Sequence, residues 1–334
     1  MRQSSSRRAL TLLSLTAAAA LTLSACSSSS EDSGGDASAE TVNIGISQLV
    51  QHPALDAATE GFKQAFIDAG YVEGETVNFD EQNANGEQAT AVTIAQNFAS
   101  IDLDLVLAVA TPAAQAAAQA ITDKPVLFTA VTDAVSAELV ESDEEPGANV
   151  TGTSDMAPLA DQLALLQEIV PDAKKVGIVY ASGEVNSEVQ VKAAEEAAKD
   201  LDIEIVTKTV TTANDIANAT EALGDVDAIY VPTDNMVVAG ISSLIQVAET
   251  KQIPVIGAES GTVEGGAIAT LGIDYETLGK QTGEMAIKII EGADPATTPV
   301  EFASEFTYVV NPAAAERMGV TVPEEILSQA EIIE

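Results

Sequence analysis

The sequence predicts an α/β protein of two similar lobes, each a parallel sheet covered by helices. Three observations carry that prediction. From Thr41 onward, short β-branched runs alternate with alanine-rich helical stretches, the pattern left by crossovers between parallel strands. Residues 103–110 form a nearly continuous apolar run, as a strand covered on both faces requires. The same grammar then returns. Residues 102–112 resemble 225–234, residues 124–133 resemble 253–260, and residues 42–47 resemble 176–181. Thr111 to Thr233, Pro125 to Pro254 and Val42 to Val176 are 122, 129 and 134 positions apart, so the order is kept at a nearly constant offset.

The elements follow in chain order. Arg2, Arg7 and Arg8 make a basic start, and residues 9–25 are small or apolar and uncharged. That run falls short of the roughly 20 residues that cross a bilayer but suits the apolar core of a secretory signal. It ends Leu23-Ser24-Ala25-Cys26, which resembles the lipobox of bacterial lipoproteins. The resemblance implies cleavage before Cys26 and a diacylglycerol on its thiol. Residues 26–40 are dominated by Ser, Asp, Glu, Gly and Ala; they cannot bury enough to offset ordering entropy and read as a flexible tether. Residues 42–47 then read as a strand. A helix over 54–69 follows from the spacing of Leu55, Ala58, Phe62, Phe66 and Ala69, with Gly70 as its C-cap. After the strand at 103–110, Thr111 reads as an N-cap and Pro112 as a first helical position. Strand ends therefore meet helix starts at Ser47, Thr111, Asp133, Ala181, Thr233 and Glu259. Ligands on open parallel sheets bind outside those ends, so two such edges facing one another make a cleft.

Composition narrows what the cleft can hold. The 334 residues include 52 acids against 14 basic side chains, one cysteine, one histidine and no tryptophan. A net charge of −38 works against nucleic-acid partners, which need clustered Lys and Arg. One cysteine and one histidine leave no thiolate cluster or multi-histidine metal site. No Gly-x-Ser-x-Gly elbow, Walker loop or dinucleotide fingerprint occurs, and Ser47 and His52 share one loop rather than forming a separated catalytic pair. Beyond residue 25 the only arginine is Arg317, so an arginine fork on a ligand acid is not available near the cleft. An anionic group would rest instead on helix N-termini and on hydroxyls such as those of Thr111, Thr132 and Thr233. Asp133, Glu184, Asp234, Glu259 and Asp274 fall near strand C-termini and can either capture an ammonium or hydroxyl group or cap the following helix. Phe128, Tyr180, Tyr230 and Tyr275 lie in or just after strands, in the core or on the cleft wall.

These residues resemble a known family, the solute-binding lipoproteins of ABC importers, in its tryptophan/tyrosine-type group. The stretches that carry the resemblance are His52-Pro-Ala-Leu-Asp56, Thr111-Pro-Ala-Ala-Gln115, Ala130-Val-Thr-Asp133, Thr151-Gly-Thr-Ser-Asp-Met156 and Gly183-Glu-Val-Asn-Ser187. They continue with Val231-Pro-Thr-Asp-Asn235, Ala269-Thr-Leu-Gly-Ile-Asp-Tyr275 and Gly279-Lys-Gln-Thr-Gly-Glu-Met285. The resemblance implies a type I periplasmic-binding-protein fold whose lobes close on a free amino acid, often aromatic. It implies that Thr111, Ala113, Thr132 and Asp133 hold the ligand from one lobe, and Glu184, Asn186, Thr233, Asp234 and Asn235 from the other. Glu259 and Asp274 would lie near crossings, and Ser47, Gln48 and His52 at the mouth. Crossings are expected near 153–154, 265–266 and 298–299, dividing the body into 42–153 plus 267–298 and 154–266 plus 299–334. The implied protein is a monomeric, lipid-anchored receptor on the outer face of the membrane, serving a permease, with no cofactor and no metal. A lipid-anchored hydrolase, or a sensory receptor for a membrane kinase, would use the same cleft.

Overall fold

A computed structural model describes residues 41–333. The signal-like segment, Cys26 and the tether lie outside the described residues. No helix among the described residues is long and apolar enough to cross a membrane.

The first half runs β1 (Val42–Gln48), α1 (Pro53–Asp68), β2 (Val77–Asn83), α2 (Gln88–Ser100), β3 (Leu105–Val109) and α3 (Thr111–Ala120). Next come β4 (Val126–Val131) and β5 (Val150–Ser154). The chain continues through α4 (Leu159–Ile169), β6 (Lys175–Ala181), α5 (Val185–Asp200), β7 (Glu204–Val210), α6 (Ile216–Glu221) and β8 (Ala228–Val231). Then follow α7 (Asn235–Ala239), α8 (Ile241–Lys251), β9 (Val255–Gly257), α9 (Ser260–Glu264) and β10 (Ala269–Gly272). The last stretch holds α10 (Tyr275–Ile290), β11 (Glu301–Phe302), β12 (Thr307–Val310), α11 (Pro312–Arg317), α12 (Glu324–Leu327) and β13 (Glu331–Ile332).

These strands form two sheets, ordered β11-β5-β4-β3-β1-β2 and β13-β12-β10-β9-β8-β6-β7. Position for position, β1 to β5 of the first correspond to β6 to β10 of the second. The three repeats in the sequence are the pairs β1/β6, β3/β8 and β4/β9. Within each sheet the pairings are parallel except β10 with β12. β3 and β4 are buried along their whole length, as their unbroken apolar runs require. Each lobe has its own apolar core, one gathered round Phe62, Phe66, Phe98 and Phe128, the other round Leu163, Ile229, Tyr230 and Leu244. Phe128 and Tyr230 are thus core residues; the Tyr230 hydroxyl donates to Gln162 Oε1 at 2.6 Å. Gln162 in turn donates to the carbonyls of Ala258 and Leu271, so the one buried amide of α4 is satisfied on every side.

Sheet membership corrects two of the expected crossings. The first crossing leaves β5 after Ser154. The expected break near Gly265–Gly266 is not one: Gly265 ends α9, Gly266 turns at φ +113°, and β10 stays in the second sheet beside β9. The chain passes back only after Gly272. Likewise residues past 298 return first to the first sheet, where β11 pairs with β5 (Glu301 with Thr153), and cross again before Thr307. Glycine pairs look like linkers in sequence, but here the pair serves a tight turn within one lobe.

α10, reached by the second crossing, docks on α1 of the first lobe. A Cβ at Gly279 would lie 1.9 Å from the Ala58 carbonyl oxygen, and one at Gly61 would lie 2.0 Å from that of Glu276. The two backbones touch because neither helix carries a side chain at the crossing.

Candidate functional site

The carboxyl ends of the two sheets face one another across the crossings. Two stretches of first-lobe backbone there are strained. Ala110, between β3 and α3, has φ 80° and ψ 152°, and Ala130, near the end of β4, has φ 54°. Both conformations favour glycine and cost about 1–3 kcal/mol in an alanine. The β4–β5 register slips between Phe128 and Val131, so Ala130 sits in an irregularity that turns the strand end toward the other lobe. Thr111 is the first residue of α3 and not its N-cap: Ala110 holds that position, and the Thr111 hydroxyl is buried with no partner.

The second lobe presents the opposite character. Asp234 caps α7, accepting from the Val237 N–H at 2.8 Å, and also takes the Ala181 N–H at 2.6 Å and the Ser187 hydroxyl at 2.7 Å. Glu184 accepts from Asn186 Nδ2 (3.0 Å), Asn235 Nδ2 (2.6 Å) and the N–H groups of Asn235 and Met236 (both 3.1 Å). Burial pushes both carboxyls up. The Asp234 charge adds to the lift on Glu184, which reaches about 7, while the ring of donors opposes it in each case.

Between the edges lies a narrow cavity of about 10 Å³, about the room of one water with the lobes in this position. The first lobe and its hinge segments supply His52, Leu55, Ala130, Thr132, Asp155 and Tyr275; the second supplies Asn186, Thr233, Asp234, Asn235, Val238 and Glu259. The lobes are shut upon it. Thr132 Oγ1 is 3.3 Å from Thr233 Oγ1, Gln190 Nε2 is 3.4 Å from Thr132 Oγ1, and Gln88 Nε2 donates to the Gly183 carbonyl at 2.9 Å. Glu184 and Asn235 also border a wider groove toward solvent, between Val50 and Gln88 on one side and Gly183 and Met236 on the other.

Four buried atoms of the cavity residues have no hydrogen-bond partner: His52 Nδ1, Asp155 Oδ1, Asn186 Oδ1 and Glu259 Oε1. Buried polar atoms are nearly always paired, so this concentration marks a place where something else supplies the partners. Asp155 Oδ2 accepts from the Tyr275 hydroxyl at 2.8 Å, which ties the first crossing to the second. Glu259 Oε2 accepts from the Gly261 N–H at 2.6 Å. Burial pushes Asp155 up and lifts Glu259 to about 7; it pushes His52 down to about 4, against the pull of Asn235 and Asp56, so that imidazole is neutral. Lys and Arg are absent from the lining.

Of the residues expected at the site, His52, Thr132, Asn186, Thr233, Asp234, Asn235 and Glu259 line the cavity, and Glu184 borders the groove beside it. The others do not. Ser47 is buried at the end of β1, and Gln48 is engaged by Val50, Asp56 and Thr59 of its own lobe. Ala113 is packed inside α3, next to Thr111. Asp133 caps the following turn through Ser136, and Asp274 is exposed and caps α10. Sequence reasoning missed Leu55, Ala130, Asp155 and Val238 as site residues and left Tyr275 between core and cleft.

Residues 43–333 match the family model described as ABC transporter substrate binding protein. The chain belongs to that family. This binding protein is 42% identical over 309 residues, 90% of each chain, to a tyrosine-binding protein of Clostridioides difficile strain R20291. Among solved structures it resembles an ABC domain from Streptococcus pneumonia in complex with L-Trp, at 34% identity and TM-score 0.85, covering 88% of this chain and all of that one. It also resembles the ligand-free, open structure of a substrate binding protein with adhesive properties from Clostridium difficile, at 42% identity but TM-score 0.68, covering 88% and 99%. The more identical chain superposes less well, and that one is open. The binding protein described here has its lobes drawn together, in the type I periplasmic-binding-protein fold.

Proposed function

We propose that this chain is the extracellular receptor of an amino-acid ABC importer and closes on one free aromatic amino acid. The observation that carries the reading is the cavity wall, which joins unpartnered buried acceptors to an apolar side and includes no Lys or Arg. A zwitterionic amino acid brings the missing donors on its ammonium, which we assign to Asp155 and Glu259 with Asn186 beside them. Leu55, Ala130, Val238 and the rings of His52 and Tyr275 take the side chain. With no arginine at hand, the ligand carboxylate rests on the Thr132 and Thr233 hydroxyls and on backbone N–H groups. The L-Trp and tyrosine named for two relatives support the aromatic class. Closure works as a population shift, because only the closed form reaches the ligand from both lobes.

The Leu23-Ser-Ala-Cys26 stretch supports a lipid anchor that holds the body outside the membrane, beside its permease. No serine or cysteine stands beside a base in the cavity wall, so the reading is capture and delivery rather than hydrolysis.

The chain lacks tryptophan, so emission excited selectively at the indole edge reports bound L-tryptophan directly. In thermal-shift measurements, the amino acids that bind should raise the melting temperature by several degrees at about 100 times their Kd, where linkage supplies about 2.7 kcal/mol. A nucleoside or sugar that stabilises the protein when no amino acid does would sink the assignment.

A further inference from the structure

Asp155 and Glu259 approach one cavity from different parts of the fold. Asp155 stands just past β5, where the chain first leaves the first lobe, and Glu259 caps α9 in the second. Each is more than nine-tenths buried, each has one oxygen engaged, and each keeps a second oxygen in the cavity with no partner. The groups packed round them add no positive charge. Tyr275 and Thr132 face Asp155 from α10 and from just past β4; Glu264 and Tyr230 lie behind Glu259 and Tyr275; Asp234 closes the far wall, with Glu184 in the groove beside it; and His52 at the start of α1 is neutral. Two carboxylates buried at one cavity without a cation cannot both be ionised, since a buried unpaired charge is far more costly than a bound proton.

We propose that Asp155 and Glu259 form a charge-selecting pair that takes the ligand's primary ammonium in exchange for a proton. The inference rests on the reading that the ligand carries an amine. In the closed, empty cavity one carboxyl of the pair keeps its O–H. On binding, that O–H ionises and its proton leaves to solvent, while ammonium N–H groups donate to Asp155 Oδ1 and Glu259 Oε1. One positive charge enters and one leaves, so the cavity keeps its charge. Burial, with smaller lifts from the Glu264 and then the Asp155 charge, raises Glu259 to about 7, which places the exchange in the neutral range. A neutral or anionic analogue cannot displace the proton, so the pair rejects deaminated and N-acylated ligands while tolerating changes at the carboxylate.

Calorimetry of the whole mature protein with L-tryptophan and L-tyrosine, in buffers of different ionisation enthalpy, tests this. Near pH 6, close to one proton should be released per ligand bound, and affinity should fall about tenfold per pH unit below about 7. Near pH 8.5 the release should approach zero. Tryptamine, which keeps the amine and lacks the carboxylate, should bind more weakly with the same proton release, whereas indole-3-propionate should not bind. Asp155→Asn and Glu259→Gln should each remove the pH slope. If the amino acid binds equally at both pH values with no proton released, the exchange is wrong and the receptor reading stands. If no amino acid binds at either pH, the receptor reading fails and takes the exchange with it.

Discussion

The two edges of the cleft solve the same problem in opposite ways. Both are carboxyl ends of parallel sheets, built from matching strands, and both bury polar groups. The second lobe pairs its two most enclosed acids: every oxygen of Glu184 and Asp234 meets N–H or O–H donors from α5, α7 and β6, and only at the cavity wall do Asn186 Oδ1 and Glu259 Oε1 stay open. The first lobe leaves debts. Ser47 and Thr111 bury hydroxyls with no partner, and Ala110 and Ala130 hold backbone shapes that glycine would adopt more cheaply. A carboxyl pair satisfied within one lobe can serve as a rigid wall, whereas the backbone strain lies on the first-lobe edge, where Ala130 lines the cavity.

The largest break in that contrast should come from Asp234→Ala. It strands the Ala181 and Val237 N–H groups and the Ser187 hydroxyl in the interior, at about 1–3 kcal/mol each. Urea unfolding should therefore show a loss of several kcal/mol. Lost ligand binding with an unchanged midpoint would mean that Asp234 works on the ligand and not on its own lobe.

Next in size is the pH response of the ligand-free protein. Glu259 is lifted from its ordinary 4.5 to about 7 by burial, against the Gly261 and Thr262 N–H groups. A raised folded value means that the stability is fully present below about 4.5 and is lost as pH rises through 7, on the order of 3 kcal/mol. The melting temperature should fall across that window, and Glu259→Gln should make the fall shallower, leaving the part that Glu184 contributes in the same range. A melting temperature that climbs between pH 5 and pH 7.5 (roughly one Glu259 titration) would contradict the buried, under-paired carboxyl.

The first lobe should respond to smaller changes in the other direction. Ala110→Gly should relieve the φ 80°, ψ 152° backbone and raise stability by about 1 kcal/mol after the entropy of the glycine is counted. A destabilised variant would show that the Ala110 methyl packs better than its backbone suffers. Smallest is Thr111→Val, which deletes an unpaired buried hydroxyl: stability should hold or rise by less than about 1 kcal/mol. Affinity for L-tryptophan should also hold, because Thr111 does not line the cavity; a large drop would return Thr111 to the binding wall.

Much of this was legible in the sequence because parallel strands and amphipathic helices leave local marks. The repeats aligned β1, β3 and β4 with β6, β8 and β9, and the spacing of Leu55, Phe62 and Phe66 outlined α1. Half of the cavity wall followed from the strand ends and the family's motifs. Asp155 did not, since nothing local distinguishes it: its role appears only when Tyr275, 120 residues later, meets it and leaves one oxygen free. The same limit explains Asp234 and Asp274, whose carboxyls look alike in sequence. One is enclosed by two other elements and the other caps a helix in the open, and only packing separates those outcomes.

The glycine contact of α10 on α1 bears on how the chain reaches this shape. The first lobe is not a continuous stretch of gene: it lacks α10 and β11 until the second lobe has been made. Until then the face of α1 that carries Gly61 and Ala58 has no cover, and β5 has a bare edge. Pairing residues more than 200 positions apart is a high-contact-order step, slow relative to helix formation and local strand pairing. The docking of α10 onto α1 thus waits until the second lobe's strands have been made, and cutting the chain between the lobes would leave two fragments, neither of them whole.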